Sequence, residues 1–244
     1  MKRLLEAFRY PFAYGNAFIL ILGVAVMSVF SWLAVGLLLE AAFLGYYALY
    51  LRAILSASME GENRIPAWPD WDHWGDFIQD VFSMLAPFAV SFAPLLIFRV
   101  LHDGADHLAS LGYVFSSALP SGLLLSSPAS TVLSILLFLL GWLYLPMAML
   151  VWTFYGGASI LNPVAVARTA WQTGPTYLLM SALIAGLVSA AWCVSLVPSP
   201  MLTTFGASML TFTALVIAMR MLGTFYRMHR DRLGWDRSAR PEPA

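Results

Sequence analysis

Residues 130–154 read STVLSILLFLLGWLYLPMAMLVWTF, a run without a single Asp, Glu, Lys or Arg. Roughly 20 mostly apolar residues in a helix cross a hydrocarbon core of about 30 Å, and this stretch exceeds that length. The same character extends outward on both sides. No charged residue lies between Arg9 and Glu40, between Asp80 and Arg99, between Asp106 and Arg168, or between Arg168 and Arg220. Over the whole chain of 244 residues, 60% are hydrophobic and 11% are charged, where a soluble domain carries about 25% charged residues. These runs exclude an ordinary water-soluble globule and predict an all-α, polytopic membrane bundle.

Laying the same ruler along the chain predicts six spans, near 14–34, 37–55, 81–101, 130–154, 176–197 and 204–226, followed by an Arg-rich tail over 227–244. The first two come from one apolar stretch about twice the ruler's length, divided at Val35 and Gly36. Pro198 and Pro200 mark the last turn. The N-terminal MKRLLEAFRY reads as retained, because the apolar stretch after it is too long for a signal peptide and lacks an A-x-A-like cleavage site. Six spans place both termini on one side. That side then holds Lys2, Arg3, Arg9, Arg52, Arg64, Arg168, Arg220, Arg227, Arg230, Arg232, Arg237 and Arg240, and Arg99 alone faces the other. Positive loops stay cytoplasmic, so the expected location is the inner, cytoplasmic membrane with both termini inside.

The segment from Leu108 to Ser127 is uncharged but broken by Gly112, Pro120 and Gly122. It reads as interfacial or partly re-entrant, which requires protein or water to satisfy its backbone. Each pair of spans is preceded by a short amphipathic lead-in: Lys2–Tyr10, Trp71–Asp80 and Asn162–Gln172. A helix with one polar face lies along the membrane surface, and in the last lead-in Asn162 can cap with Pro163 at the first helical position. Gly23, Gly141, Gly186 and Ser189 are small enough for close helix approach. Pro87, Pro94 and Pro146 could break helices in the manner of transporters, although membrane helices tolerate proline generally.

The loop SMEGENRIPAWPDWDHWGDFIQD, Ser58–Asp80, gathers Trp68, Trp71 and Trp74 among Glu60, Glu62, Asp70, Asp72, Asp76 and Asp80. Tryptophan sits well at the headgroup layer, and acids favour a helix N-terminus. The same residues could instead form a docking surface or hold a hard cation, although the glycine and terminal glutamate of a calcium loop are missing. Trp68, Asp70, Trp71, Asp72, Trp74 and Asp76 are therefore the candidate interface.

At this loop the chain resembles a domain-of-unknown-function family of prokaryotic multi-pass membrane proteins with a P-x-W-P-D-W loop. The resemblance rests on Tyr10-Pro11-Phe12, Gly45-Tyr46-Tyr47 leading to Leu51-Arg52, and Gly61-Glu62. It continues through Pro66-Ala67-Trp68-Pro69-Asp70-Trp71, Trp74-Gly75-Asp76, Tyr144-Leu145-Pro146-Met147-Ala148, Leu161-Asn162-Pro163 and Tyr177-Leu178. It implies a bacterial membrane protein of shared architecture and supplies no catalytic residue, substrate or cofactor.

Glu40 is the one acid well inside an apolar run, and Arg99 falls at a similar depth near the outer end of the third span. Ionisable groups in a membrane are costly and often functional. They form either a structural Glu40–Arg99 pair or a substrate or proton site. His102, Asp103, Asp106 and His107 offer ligand chemistry, but polar residues with a glycine also describe any junction between span and loop, and no metal site is assigned. Cys193 stands alone, so it reads as a small packing hydrophobe. The tail arginines serve as a topology signal or bind anionic headgroups.

The zero formal charge gives no footprint for nucleic acid. No H-E-x-x-H, G-x-S-x-G or P-loop motif is present, and all four histidines lie outside the spans. No segment outside the spans is long enough to bury a core. The chain therefore reads as non-enzymatic, with no cofactor and no catalytic residue: a scaffold or subunit packing against membrane lipids or partner membrane proteins. The alternative is a small transporter or channel using Glu40.

Overall fold

The computed structural model describes residues 4, 6–12, 21, 23, 25, 37–67, 74–103, 128–156, 162–195 and 206–235, with the backbone alone for 37–44, 74–84, 103, 165, 192 and 194–195. Among these residues every regular element is helical. A 3-10 helix, Glu6–Phe12, is followed by α1 (Leu37–Glu60), α2 (Trp74–Asp103), α3 (Pro128–Tyr155), α4 (Pro163–Thr173), α5 (Pro175–Ser195) and α6 (Ala207–Leu233). Leu85–His102, Pro128–Tyr155 and Ala207–Leu233 are long and apolar enough to cross a membrane, and the bent pair α4–α5 can be counted as a fourth span. Among the described residues the structure is thus all-helical, with three or four helices long and apolar enough to span a membrane, while six spans are not observed. The expected first span and the Leu108–Ser127 segment fall outside the described residues, apart from residues 21, 23 and 25.

Helix α6 is the centre of the bundle. Of its apolar window 72% is buried within the protein, against 22% for Leu85–His102. Helix α1 runs parallel to α6, as two registers show. Tyr47 meets the Phe212 ring edge-on at 5.4 Å near the start, and Ser58 lies against Gly223 and Arg220 near the end. The C-terminal end of α3 joins the same end of α6, with Phe154 5.7 Å from Tyr226. Helix α5 begins there, with Tyr177 6.0 Å from Phe225 and its hydroxyl donating to the Leu143 carbonyl. One end of the molecule therefore collects the ends of α1, α3 and α6 and the start of α5.

The prolines leave their helices unbroken: α2 continues through Pro87 and Pro94, and α3 through Pro146. Each proline removes one backbone donor, a loss that membrane helices tolerate. The second lead-in is not a separate helix either. From Trp74 it is the first part of the 30-residue α2, since extending a formed helix gains a hydrogen bond per residue without a new nucleus.

The third lead-in does form its own helix. It starts at Pro163, with the Val166 N–H donating to the Asn162 carbonyl at 3.3 Å. It ends at Gly174, whose φ of +61° lies in the left-handed region that favours glycine. There the chain turns by 103° into α5.

Two of the small residues expected at close contacts are found there. Gly141 lies against Phe92 and the Ser91 carbonyl, and the buried Gly23 accepts a 2.7 Å hydrogen bond from Tyr47. Gly186 and Ser189 instead face outward, as does Cys193, which is exposed rather than packed. They share the outer face of α5 at helical spacing with Ala182 and Ala190.

Candidate functional site

The most developed polar assembly among the described residues is centred on Arg220, two turns inside the buried part of α6 and 6% exposed. Its Nη1 donates to Ser58 Oγ at 3.3 Å and to the Glu62 carbonyl, and its Nη2 donates to Asn63 Oδ1 at 2.7 Å. The guanidinium carbon lies 4.4 Å from the centre of the Tyr10 ring. A planar cation with five donors suits such a fork of acceptors and also stacks on an aromatic face. These partners are uncharged, so Arg220 is held by hydrogen bonds and a ring quadrupole.

The local chain explains how the acceptors reach it. Helix α1 stops at Gly61, where φ is +95°, and the Gly61 and Glu62 N–H groups both donate to the Ala57 carbonyl at 3.0 and 2.9 Å. This reversal points the Glu62 carbonyl and the Asn63 side chain back at α6. A Cβ on Gly61 would lie 2.9 Å from Arg227 Nη1, the far end of a side chain that can swing aside, so it is the backbone conformation that calls for glycine. On the other side, Leu4, Ala7 and Tyr10 are buried at a spacing of three, the period of a 3-10 helix. That places Tyr10 over Arg220, and its hydroxyl donates to the Arg64 carbonyl at 3.0 Å. The first lead-in therefore grips the bundle end rather than only lying along a membrane surface.

The same end is closed by aromatic rings. Gly234, with φ of +60°, caps α6 and turns the chain so that Trp235 packs on Phe154, Tyr155 and Tyr226 at 5.2–5.5 Å. Arg52 lies 4.3 Å from the Trp152 ring centre. His229, expected outside the spans, is buried in α6 with Nδ1 3.0 Å from the Phe225 carbonyl.

Burial pushes the Tyr10 hydroxyl up from 10.0 to about 12, opposed by the Arg220 charge and aided by Glu62. The folded value lies above the unfolded one, so between pH 10 and 12 the folded chain keeps a proton that the unfolded chain has released. Stability from Tyr10 is complete below pH 10 and is lost as pH rises through 12. In detergent, the unfolding temperature of Tyr10→Phe is expected to fall less than that of the parent over this interval. Parallel declines would show that Tyr10 titrates as it does in the unfolded chain.

Of the residues singled out in the sequence, Trp68, Asp70, Trp71 and Asp72 lie outside the described residues. Trp74 and Asp76 fall in the first turn of α2 with the backbone alone described. Glu40 is in α1, also with the backbone alone described, while Arg99 is half-buried in α2, and these two helices pack together. Their pairing is not part of the described contacts. His102 stacks on Phe98 at 5.5 Å. No group of three or more His, Cys, Asp or Glu among the described residues is placed to hold a metal ion.

By charge alone Arg220 is one positive residue among many on its side of the membrane. The signal that sets it apart is its depth: Met219, Met221, Leu222, Phe225 and Tyr226 surround it in sequence, and an arginine well inside an apolar run needs partners. Comparisons with protein-family models, with curated proteins and with solved structures give no match to this chain.

Proposed function

We propose that the protein is a non-enzymatic scaffold or subunit of a bacterial inner membrane, packing against lipids and a partner membrane protein. The observation that carries this reading is the use made of Arg220. The buried cation of the central helix is engaged by Ser58, Glu62 and Asn63, so its fork holds a loop in shape. The loop leaves Glu62 and Arg64 exposed at the latched end and leads into the Trp68–Asp76 segment. Recognition residues are commonly carried by loops that a rigid scaffold positions.

The six-span, termini-inside arrangement belongs to this proposal. It is supported by the parallel course of α1 and α6, which alternating spans require of the second and sixth. The 3-10 helix also lies at the α1 end opposite Leu37, as Tyr10 touches Arg220 and Arg64. Arg9, Arg64, Arg227, Arg230 and Arg232 are exposed residues of the segments gathered at that end, which favours the cytoplasmic side.

Gentle extraction from the native membrane followed by mass determination tests the proposal. The expected result is a stoichiometric protein partner that is lost when Glu62 and Arg64 are both changed to Ala while the variant still folds. A retained small molecule with no partner would overturn it in favour of transport, and Glu40→Gln would then be the variant to assay.

A further inference from the structure

Helix α4 buries one side and leaves the other unoccupied. Val166, Thr169 and Thr173 are buried, with Val166 joining the core, and α4 packs on both α3 and α6. At 100° per residue these three positions cluster on one face. The opposite face carries Val164, Ala167 and Trp171, with Arg168 and Gln172 along one flank. Trp171 is 88% exposed and Val164 73%. An indole left this open on a folded surface needs an apolar neighbour, which none of the other described residues supplies.

The geometry identifies that neighbour. The 103° turn at Gly174 sets α4 nearly perpendicular to α5, so when α5 stands along the membrane normal α4 lies in the membrane plane. The apolar surface continues around the corner, where Leu178 and Leu179 are exposed on the first turns of α5. Exposed apolar side chains thus stand on both sides of the turn, Val164 and Trp171 on α4 and Leu178 and Leu179 on α5. An apolar stripe flanked on one side by a cation and an amide is the pattern of a helix lying at the boundary of headgroups and acyl chains.

We propose that α4 is an in-plane lipid-docking helix. Trp171 and Val164 enter the acyl boundary of the bilayer, and Arg168 rises along the stripe to the phosphates of anionic phospholipids. An arginine can bury its stem in apolar surroundings while its guanidinium reaches a headgroup. The occupant is the bilayer itself, and the inference does not depend on any protein partner.

The test uses the purified full chain in vesicles of phosphatidylcholine mixed with phosphatidylglycerol, with bromine placed on the acyl chains of one lipid or the other. The contribution of Trp171 is the fluorescence difference between the parent and Trp171→Phe, a change at a surface position that leaves the fold intact. That contribution is expected to be quenched by both brominated lipids, and more strongly by brominated phosphatidylglycerol. In Arg168→Gln the preference for the anionic lipid is expected to fall about fivefold, the worth of one basic residue at an anionic surface. No quenching by either lipid would mean that water or a second copy of the chain covers the stripe, and would overturn the proposal. Equal quenching by the two lipids in the parent would overturn the role given to Arg168.

Discussion

Arg220→Met is expected to destabilise the protein by about 3 kcal/mol, a drop of roughly 10 °C in unfolding temperature for a chain of this size. The ring contact with Tyr10 contributes on the order of 1 kcal/mol or more when desolvated. The larger share comes from what the change leaves behind. Ser58 is fully buried, so its hydroxyl loses a charged donor where water cannot replace it. Glu62 and Asn63 are exposed residues, so their acceptors can rehydrate once Arg220 is gone, and their loss is cheaper. Asn63→Ala should therefore cost only about 1 kcal/mol. Arg220→Lys should fall between the two, because an ammonium keeps the charge but cannot fork to Ser58 and Asn63 or stack flat on Tyr10. Thermal unfolding in one detergent measures all three. If Arg220→Met unfolds with the parent, or Asn63→Ala costs as much as Arg220→Met, the latch is not what holds this end together.

The asymmetry between what the sequence disclosed and what it concealed follows from the kind of information each feature carries. The apolar runs around Ser130–Phe154 and across α5 and α6 are readable because span length is set by bilayer thickness, a property outside the protein. The start of α4 at Pro163 is readable because the fixed φ of proline suits the first helical position, a local property. The Arg220 assembly is of another kind: Tyr10, the Ser58–Asn63 stretch and Arg220 are far apart in the chain, and nothing local marks them as neighbours. The tail shows the same limit. Arg227, Arg230 and Arg232 are exposed, but α6 continues through them to Leu233 and buries His229 on its inner side. Only the 3.6-residue geometry against neighbouring helices separates those two faces. The outward Gly186 and the tightly packed Gly223 are likewise indistinguishable in sequence, both being glycines in apolar helices.

That last contrast gives a prediction of opposite signs. Gly223→Ala is expected to destabilise by about 3 kcal/mol, at the upper end of what overpacking costs. Gly186→Ala is expected to stabilise by about 0.5–1 kcal/mol, the ordinary gain of replacing a helical glycine. A Cβ on Gly223 would stand 2.3 Å from Ser58 Cβ, 2.8 Å from Ser58 C and 2.9 Å from Met59 N. Two of those three are main-chain atoms of α1 and cannot swing away as a side chain would. The whole of α1 must withdraw from α6 to make room. Ser58 is also an Arg220 acceptor, so the withdrawal opens the latch together with the helix contact. Around Gly186 nothing lies within 4 Å of the corresponding position, and the added methyl has only the helix to satisfy. Ser58→Gly removes the 2.3 Å contact but leaves the two main-chain ones, so in the double variant it should recover only part of the loss. Thermal unfolding of the two single variants and that double variant provides the cycle. Equal effects at Gly223 and Gly186 would mean that α1 and α6 are not in close contact. Full recovery by Ser58→Gly would mean that the contact is between side chains alone, with the backbones standing farther apart than Gly223 allows.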